Sequence, residues 1–266
     1  MPQSLRTYLD FARETAHAAG DLTLGYFRRD VMVERKADTS PVTIADREAE
    51  SLIRRRIAAR FPDHAIVGEE HGATGDAGAT HRWIVDPIDG TRAFVRGVPL
   101  YGVLIGLEIE GRARVGVAHF PALRETITAA SGEGCDWDGR AAQVSPVEDL
   151  RDGIVAHANA ASFARAGRAE AWGRLQDAAG FCAGWADAYA YLLVATGRVE
   201  VAIDPVMREW DCAPFLPILE EAGGYFGDWK GNPTIYAGEA LATTRRLLPE
   251  VLRVLTPSGP ALRVAD

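Results

Sequence analysis

Two spacings of apolar residues alternate along the chain, and each predicts a different kind of element. Apolar positions three or four apart are typical of amphipathic helices, whereas short β-branched or alternating runs bounded by Gly, Pro and Asp are typical of strands. The predicted helices span residues 5–27, 46–61, 162–178, 186–196, 210–222 and 247–255. The predicted strands span residues 31–36, 65–67, 83–86, 101–110, 113–120, 125–130, 153–157, 198–203, 225–228, 235–237 and 241–244.

The order of these elements differs between the two halves of the chain. Strands 101–110, 113–120 and 125–130 follow one another with only short connections, which predicts an antiparallel meander. Beyond residues 144–152 strands alternate with helices, so we expect two subdomains, residues 1–150 and 151–266. Pro217 lies inside the predicted helix 210–222 and is expected to kink that helix or to delay its start.

A pair of carboxylates follows the apolar run from Trp83 to Val85. Pro87 biases Asp86 toward an extended conformation, which places Asp86 at the end of a strand. Asp89 comes three residues later, and the carbonyl of Ile88 lies between the two acids. Such a set of oxygen ligands suits Mg²⁺. The pattern therefore suits a metal site at this strand end.

Gly90 and Thr91 follow this pair and have the composition of a tight turn that opens a short helix. Glycine adopts any backbone angle, and the first N–H groups of a helix lack intrahelical partners. These N–H groups suit a phosphate oxygen. The alternative is that Asp89 is only a helix cap and Asp89-Gly90 only a turn, and these residues alone do not decide between the two.

Other acidic residues occupy the ends of predicted elements. Asp46 lies near the start of a helix, where an acid ordinarily complements the helix dipole. Glu69 and Glu70 follow strand 65–67, and pairing of that strand with strand 83–86 would bring Glu69 beside Asp86. Asp211 lies at the start of helix 210–222.

Composition and charge narrow the class of protein. The 266 residues are 47% hydrophobic and 25% charged, which is ordinary for a globular enzyme. A net charge of −8 and no block of basic residues argue against a nucleic-acid or membrane surface. Three widely spaced cysteines indicate neither a disulfide framework nor a zinc site. The N-terminus lacks a signal pattern, so we expect a cytoplasmic protein.

Four segments occur in a fixed order: Thr43-Ile44-Ala45-Asp46, Gly68-Glu69-Glu70, Asp86-Pro87-Ile88-Asp89-Gly90-Thr91, and Trp210-Asp211 with Glu221-Ala222-Gly223-Gly224. Together they resemble the inositol monophosphatase superfamily of metal-dependent phosphomonoesterases, over nearly the whole chain. The resemblance implies an α+β fold, the five-layered αβαβα sandwich of the inositol monophosphatase and carbohydrate phosphatase type. It also implies a homodimer, two or three Mg²⁺ ions per active site and inhibition by lithium.

The resemblance also implies a role for each residue that matches the family motifs. The first metal would be held by Glu69, Asp86 and the carbonyl of Ile88, and the second by Asp86, Asp89 and Asp211. Thr91, paired with Asp46, would orient the attacking water, and Glu70 would help to hold that water. Gly90 and Thr91 would bind the phosphate, and no phosphoenzyme would form.

Further segments are similar to the histidinol-phosphate phosphatases of this superfamily: Thr91-Arg92-Ala93-Phe94, Gly97-Val98-Pro99-Leu100, Asp187-Ala188-Tyr189-Ala190-Tyr191 and Asp228-Trp229-Lys230-Gly231. An arginine that is common shortly before the Asp187 position is missing here. This similarity implies hydrolysis of L-histidinol phosphate to L-histidinol and phosphate in histidine biosynthesis, with Asp187 and Asp204 contacting the leaving group. Alternatively, Asp204 is a turn residue before Pro205, and Asp187 complements a helix dipole.

Two other functions stay open at this point. One is an inositol-1-phosphatase or a broad sugar-phosphate phosphatase that uses the same metals. The other is a catalytically dead binding homologue, against which the complete set of matching acidic residues argues.

Overall fold

The structure, a computed structural model, describes residues 3–35, 41–185 and 187–256. Within these ranges the helices are α1 (Leu5–Leu24), α2 (Ile44–Arg60), α3 (Thr91–Val95), α4 (Ala160–Arg165), α5 (Ala169–Ala178), α6 (Tyr189–Ala195), α7 (Glu209–Cys212), α8 (Phe215–Glu221) and α9 (Leu248–Leu255), with a 3₁₀ turn at Leu150–Asp152. The strands are β1 (Val33–Arg35), β2 (Pro41–Thr43), β3 (Ala65–Gly68), β4 (Gly72–Thr74), β5 (His81–Asp89), β6 (Gly102–Ile109), β7 (Arg112–Phe120), β8 (Glu125–Ala130), β9 (Gly134–Trp137), β10 (Arg140–Ala141), β11 (Ile154–Ala156), β12 (Phe181–Ala183), β13 (Val201–Asp204), β14 (Gly224–Gly227) and β15 (Ala240–Thr244).

Helices cover both faces of two large sheets. Helices α1 and α2 pack on one face of an eight-stranded sheet, and α6 and α8 lie between this sheet and a five-stranded one. Helices α4, α5 and α9 pack on the outer face of the second sheet through Phe163, Trp172 and Val251. The architecture is therefore the five-layered αβαβα sandwich of an α+β protein, as predicted. No described helix has both the length and the apolar character that a membrane span needs.

The eight-stranded sheet has the order β10-β9-β8-β7-β6-β5-β3-β4. Strands β6 to β8 form the predicted antiparallel meander. The antiparallel pairing extends further than predicted, to β5 on one side and to β9 and β10 on the other. The exception is β3, which runs parallel to β5 and pairs Gly68 with Val85. Because parallel strands end at the same edge of a sheet, the residues after β3 lie beside the end of β5.

The prediction that Asp86 ends its strand is wrong. Strand β5 continues to Asp89, and its register against β6 shifts between Asp86 and Asp89. Pro87 lies within this irregularity, where the strand does not need the ladder hydrogen bond that a proline cannot donate. The irregularity re-aims the chain, so both acids reach the same site.

Two predicted helices are each divided in the structure. The predicted helix 162–178 becomes α4 and α5, because Gly167 has a φ of +71° and ends α4. The predicted helix 210–222 becomes α7 and α8, and Pro214 precedes α8. Pro217 then lies in the first turn of α8, where its missing N–H would have had no intrahelical partner anyway.

Smaller differences concern the ends of elements. Residues 235–237, a predicted strand, are not in a sheet. The first helix ends at Leu24 rather than at residue 27, and α6 begins at Tyr189 rather than at residue 186. Residue 186 lies outside the described residues, as does Lys36 at the end of the predicted strand 31–36. The division into subdomains 1–150 and 151–266 stays a prediction, since one apolar core contains residues from both halves, among them Leu104 and Phe215.

Candidate active site

A cavity of about 680 Å³ opens at the end of β5, beside α3 and α7. The predicted site residues that line it are Glu69, Asp86, Ile88, Asp89, Gly90, Thr91, Asp187, Asp204 and Asp211. Asp46 lies behind Thr91, and Glu70 follows Glu69, but neither of these two described residues is part of the lining. The fold thus gathers residues that lie up to half a chain apart.

Three carboxylates form the centre of the site. Single oxygen atoms of Asp86, Asp89 and Asp211 all lie within 4.8 Å of one another. Backbone N–H groups hold one oxygen of each: that of Ile88 for Asp86 (3.0 Å), that of Ala188 for Asp89 (2.7 Å) and that of Arg208 for Asp211 (2.8 Å). These bonds fix the direction of each carboxylate before any ligand arrives.

Burial makes this cluster electrostatically unfavourable by itself. It raises the pKa of Asp211 to about 7, with Glu69 and Asp187 adding to the effect. The pKa values of Asp86 and Asp89 are raised well above the ordinary range, first by burial and then by the neighbouring acids. A dication would relieve this repulsion, and an all-oxygen donor set is the one that Mg²⁺ prefers. The residues present therefore fit the metal that the family resemblance implies.

Glu69 is placed by the parallel pairing of β3 and β5. Its backbone N–H donates to the carbonyl of Val85 at 3.3 Å, which places Glu69 next to Asp86. The pairing predicted from the sequence is confirmed. The pattern of apolar residues along β3 and β5 does not show that the two strands run in the same direction. The proximity of Glu69 and Asp86 is therefore established only by the tertiary structure.

Sequence reasoning missed Glu50, which supports the segment that carries Glu69. Glu50 is fully buried in α2, and its carboxylate accepts the backbone N–H groups of Glu70 (2.7 Å) and His71 (3.1 Å). A Cβ on Gly68 would lie 2.2 Å from Glu50 Oε1, so only glycine allows this approach. The available signal was spacing, because Glu50 lies four residues after Asp46 and so on the same face of α2.

Asp46 and Thr91 are in contact. Asp46 Oδ2 accepts the backbone N–H and the hydroxyl of Thr43 at 2.7 and 2.6 Å, while Oδ1 lies 3.3 Å from the hydroxyl of Thr91. The Thr91 hydroxyl also lies 3.2 Å from the carbonyl of Ile88. Asp46 thus forms a capping box with the N-cap residue Thr43 in the first turn of α2, where the simpler interpretation expected it to complement the helix dipole. Its second oxygen faces Thr91.

The wall of the cavity beyond the cluster carries two more acids. Asp204 accepts the N–H of Ala158 and the hydroxyl of Tyr191, both at 3.0 Å, and burial raises its pKa to about 7. Sequence reasoning missed Tyr191 as this partner, although it lies four residues after Asp187. Burial also raises the pKa of Asp187, whereas Arg92 acts in the opposite direction.

Gly90 lies where β5 meets α3 and adopts a left-handed conformation with a φ of +77°. A Cβ there would lie 3.1 Å from both Asp187 Oδ2 and the carbonyl oxygen of Leu100. Both the backbone angle and the lack of space therefore require glycine at this position.

The fold is that of a phosphatase family whose members are generally metal-dependent, and the acidic cavity fits such a metal. The sequence matches the inositol monophosphatase family over residues 4–258, and the chain belongs to this family. Among its relatives is a histidinol-phosphatase from Chlorobaculum parvum, 45% identical over 241 residues that cover 90% of this chain and 93% of the relative. A histidinol-phosphatase from Mycobacterium tuberculosis is 37% identical over 251 residues, covering 92% of this chain and 96% of the relative.

Solved structures agree with this assignment. The structure of an inositol monophosphatase from Anabaena superimposes with a TM-score of 0.83 at 29% identity, covering 95% of this chain and 96% of the other. The protein is therefore a phosphomonoesterase of the inositol monophosphatase family.

Proposed function

We propose that the protein hydrolyses L-histidinol phosphate to L-histidinol and phosphate with Mg²⁺ held by Glu69, Asp86, Ile88, Asp89 and Asp211. The observation that carries this proposal is a single cavity lined by two neighbouring sets of acids. One set is the cluster at the end of β5, and the other consists of Asp187 and Asp204. Histidinol phosphate matches both, because it has a phosphate at one end and a protonated amine with an imidazole at the other. The similarity to two histidinol-phosphatases supports the same substrate.

Bound Mg²⁺ would neutralise the phosphate and lower the pKa of a coordinated water. Thr91 then orients the attacking water, because its own proton is directed toward Asp46 or toward the carbonyl of Ile88. The lone pairs of its hydroxyl remain to accept a hydrogen bond from water in the cavity. Glu70 is assigned to the same water, and the N–H groups of Gly90 and Thr91 to the phosphate. The water attacks phosphorus directly and no phosphoenzyme forms.

Thr91→Ala is expected to lower kcat by roughly 10²-fold or more, in the range of general acid–base contributions. The apparent affinity for Mg²⁺ should change far less, because the hydroxyl is assigned to the water and not to the metal. The measurement is phosphate release against Mg²⁺ concentration, with Thr91→Ser as the control that keeps the hydroxyl. A larger loss of Mg²⁺ affinity than of kcat would instead make Thr91 a structural support of the metal site.

The second candidate is an inositol-1-phosphatase or a broad sugar-phosphate phosphatase. The hydrogen bonds of Asp204 favour this candidate, because both of its oxygens already accept one from the protein and are less available to a cationic leaving group. The likeness to the Anabaena inositol monophosphatase points the same way. Phosphate release from a panel of histidinol phosphate, inositol 1-phosphate and fructose 1,6-bisphosphate decides between the candidates. A higher kcat/KM for either of the last two would contradict our proposal.

Asp187→Asn and Asp204→Asn should each lower kcat/KM for histidinol phosphate by about tenfold or more, because a charge-assisted hydrogen bond of about 1.5–3 kcal/mol is lost. Hydrolysis of p-nitrophenyl phosphate, whose leaving group has no cation, should be spared. Asp177→Asn, an exposed acid on α5, is the matched control for the loss of one negative charge. Equal losses on both substrates would assign Asp187 and Asp204 to the fold or to the metals.

The homodimer and the cytoplasmic location stay predictions.

A further inference from the structure

A groove of about 790 Å³ lies outside the active-site cavity. It is bounded by the first half of α1, by β8 to β10, by residues 142–146 and by the end of α8. None of the described residues lines both this groove and the active-site cavity. Glu221, Ala222 and Gly223 line the groove, although they belong to the last of the four sequence motifs. This part of the motif therefore serves something other than the metal cluster.

The wall formed by α1 carries an excess of positive charge. Arg6 Nε and Arg13 Nη2 lie 3.3 and 3.6 Å from the same oxygen, Oδ1 of Asp10. One carboxylate neutralises one guanidinium, so one positive charge remains. The three side chains are 43% to 56% exposed, which leaves the guanidinium groups within reach of a ligand. Arg246 also lines the groove, but it pairs with Glu148 and adds no net charge.

The part of the groove formed by β9 and the end of α8 is acidic. In the described part of the chain no ion pair includes Glu133, Asp136 or Glu221, which all line the groove. The carboxylate of Glu221 is fixed, because it accepts two backbone N–H groups at the β8–β9 turn, both at 2.8 Å. Burial raises the pKa of the Cys135 thiol to about 12, and the charges of Asp136 and Glu221 add to this effect. Both carboxylates therefore lie near one buried thiol and act on the same region.

Apolar side chains complete the lining. Leu9, Ala142, Val144 and Pro146 offer surface on which the methylene groups of a ligand can pack. A simple anion suits the groove poorly, because its lining contains four carboxylates and three guanidinium groups. A polyamine would leave the excess charge on α1 without a partner. The groove is matched by a molecule that has one carboxylate, more than one cationic group and an apolar chain.

We propose that this groove binds a free basic amino acid. Its carboxylate accepts hydrogen bonds from Arg6 and Arg13, since a guanidinium matches a carboxylate with two parallel bonds. Its ammonium groups donate to Glu133, Asp136 and Glu221, and its chain packs on the apolar residues. Neither a phosphate nor a metal takes part, so this site stands or falls separately from the proposed hydrolysis of histidinol phosphate.

The test is calorimetric titration of the full chain with lysine, cadaverine and 6-aminohexanoate. Cadaverine lacks only the carboxylate of lysine, and 6-aminohexanoate lacks only its α-amine. We expect lysine to bind about tenfold or more tighter than either, because each group contributes charge-assisted hydrogen bonds. Arginine should bind and glutamate should not. Equal binding of lysine and cadaverine, tighter binding of glutamate, or no binding of lysine and arginine at millimolar concentration would overturn the proposal.

Two double variants assign the two ends of the ligand. Arg6→Gln/Arg13→Gln should remove the advantage of lysine over cadaverine, and Glu133→Gln/Asp136→Asn should remove its advantage over 6-aminohexanoate. None of the four side chains is buried, so both variants should fold, which thermal melts verify. If either variant kept the selectivity that it is expected to lose, the ligand groups would bind elsewhere and the proposal would be wrong.

The control variants are Arg55→Gln/Arg245→Gln and Glu170→Gln/Asp177→Asn. Each removes two like charges at exposed positions that do not line the groove. Both should bind lysine, cadaverine and 6-aminohexanoate as the wild type does. A similar loss of selectivity in these controls would reduce the effect to the net charge of the protein and contradict a site in this groove.

Discussion

Asp89→Asn is expected to lower kcat by roughly 10³-fold or more. This reduction is at least as large as the one caused by removing one key electrostatic group from other active sites. The amide keeps the shape of the side chain, and its oxygen still accepts the N–H of Ala188. What disappears is a negative charge at the centre of the carboxylate cluster, within 4.8 Å of Asp86 and Asp211. The measurement is phosphate release at saturating Mg²⁺, together with Mg²⁺ binding by calorimetry.

Thermal stability distinguishes the loss of a metal ligand from misfolding of the variant. Burial and the acids around it raise the pKa of Asp89, so a neutral side chain relieves repulsion in the metal-free protein. Metal-free Asp89→Asn should therefore melt no lower than the metal-free wild type. Asp177→Asn is the control on the surface of α5 and should behave as the wild type in both assays. Near-normal turnover by folded Asp89→Asn would exclude the proposed role of Asp89 as a metal ligand.

Metal-free protein is expected to lose thermal stability as the pH rises from about 4 to about 7, and Mg²⁺ should restore it. The ordinary pKa of an aspartate is 3.8, whereas burial raises the pKa of Asp204 and of Asp211 to about 7. A raised pKa means that the folded state binds the proton more tightly than the unfolded state. Stability is therefore fully present below the unfolded value and is lost as the pH rises toward the folded value.

The size of this effect follows from the shift in pKa. Between about pH 4 and about pH 7, each pH unit lowers the free energy of unfolding by up to about 1.4 kcal/mol for one such carboxyl. In a protein of this size 1 kcal/mol moves Tm by about 2–4 °C, so a loss of several degrees is expected. Thermal melts at about pH 5 and pH 7.5, with EDTA or with Mg²⁺, measure it. We expect Mg²⁺ to stabilise more at the higher pH, where the acids are ionised and bind it. Equal stabilisation at both values would contradict a metal site built from these buried acids.

Local signals in the sequence were sufficient for much of the fold. The spacing of Tyr8, Leu9 and Ala12 predicts α1, because a helix buries residues three and four apart. The strands of the meander were also recognisable from the sequence, because each strand is followed by its partner after a short turn. Errors arose where one residue changes the backbone locally, as Gly167 does between α4 and α5. Periodicity does not contain that information, because the glycine angle depends on how the flanking helices pack.

The sequence by itself determined which residues of the candidate site could bind a metal ion or a phosphate group. Asp86, Asp89 and Gly90 lie within five consecutive residues, so their motif is visible without any structure, and the order of the remaining motifs identifies the family. Only the tertiary structure decided how these residues meet. Glu50 beneath Glu70 and Tyr191 on Asp204 are contacts between residues that belong to different elements of the fold. Such contacts depend on strand direction, register and the packing of layers. These are set by the burial of the whole core and not by any single stretch of residues.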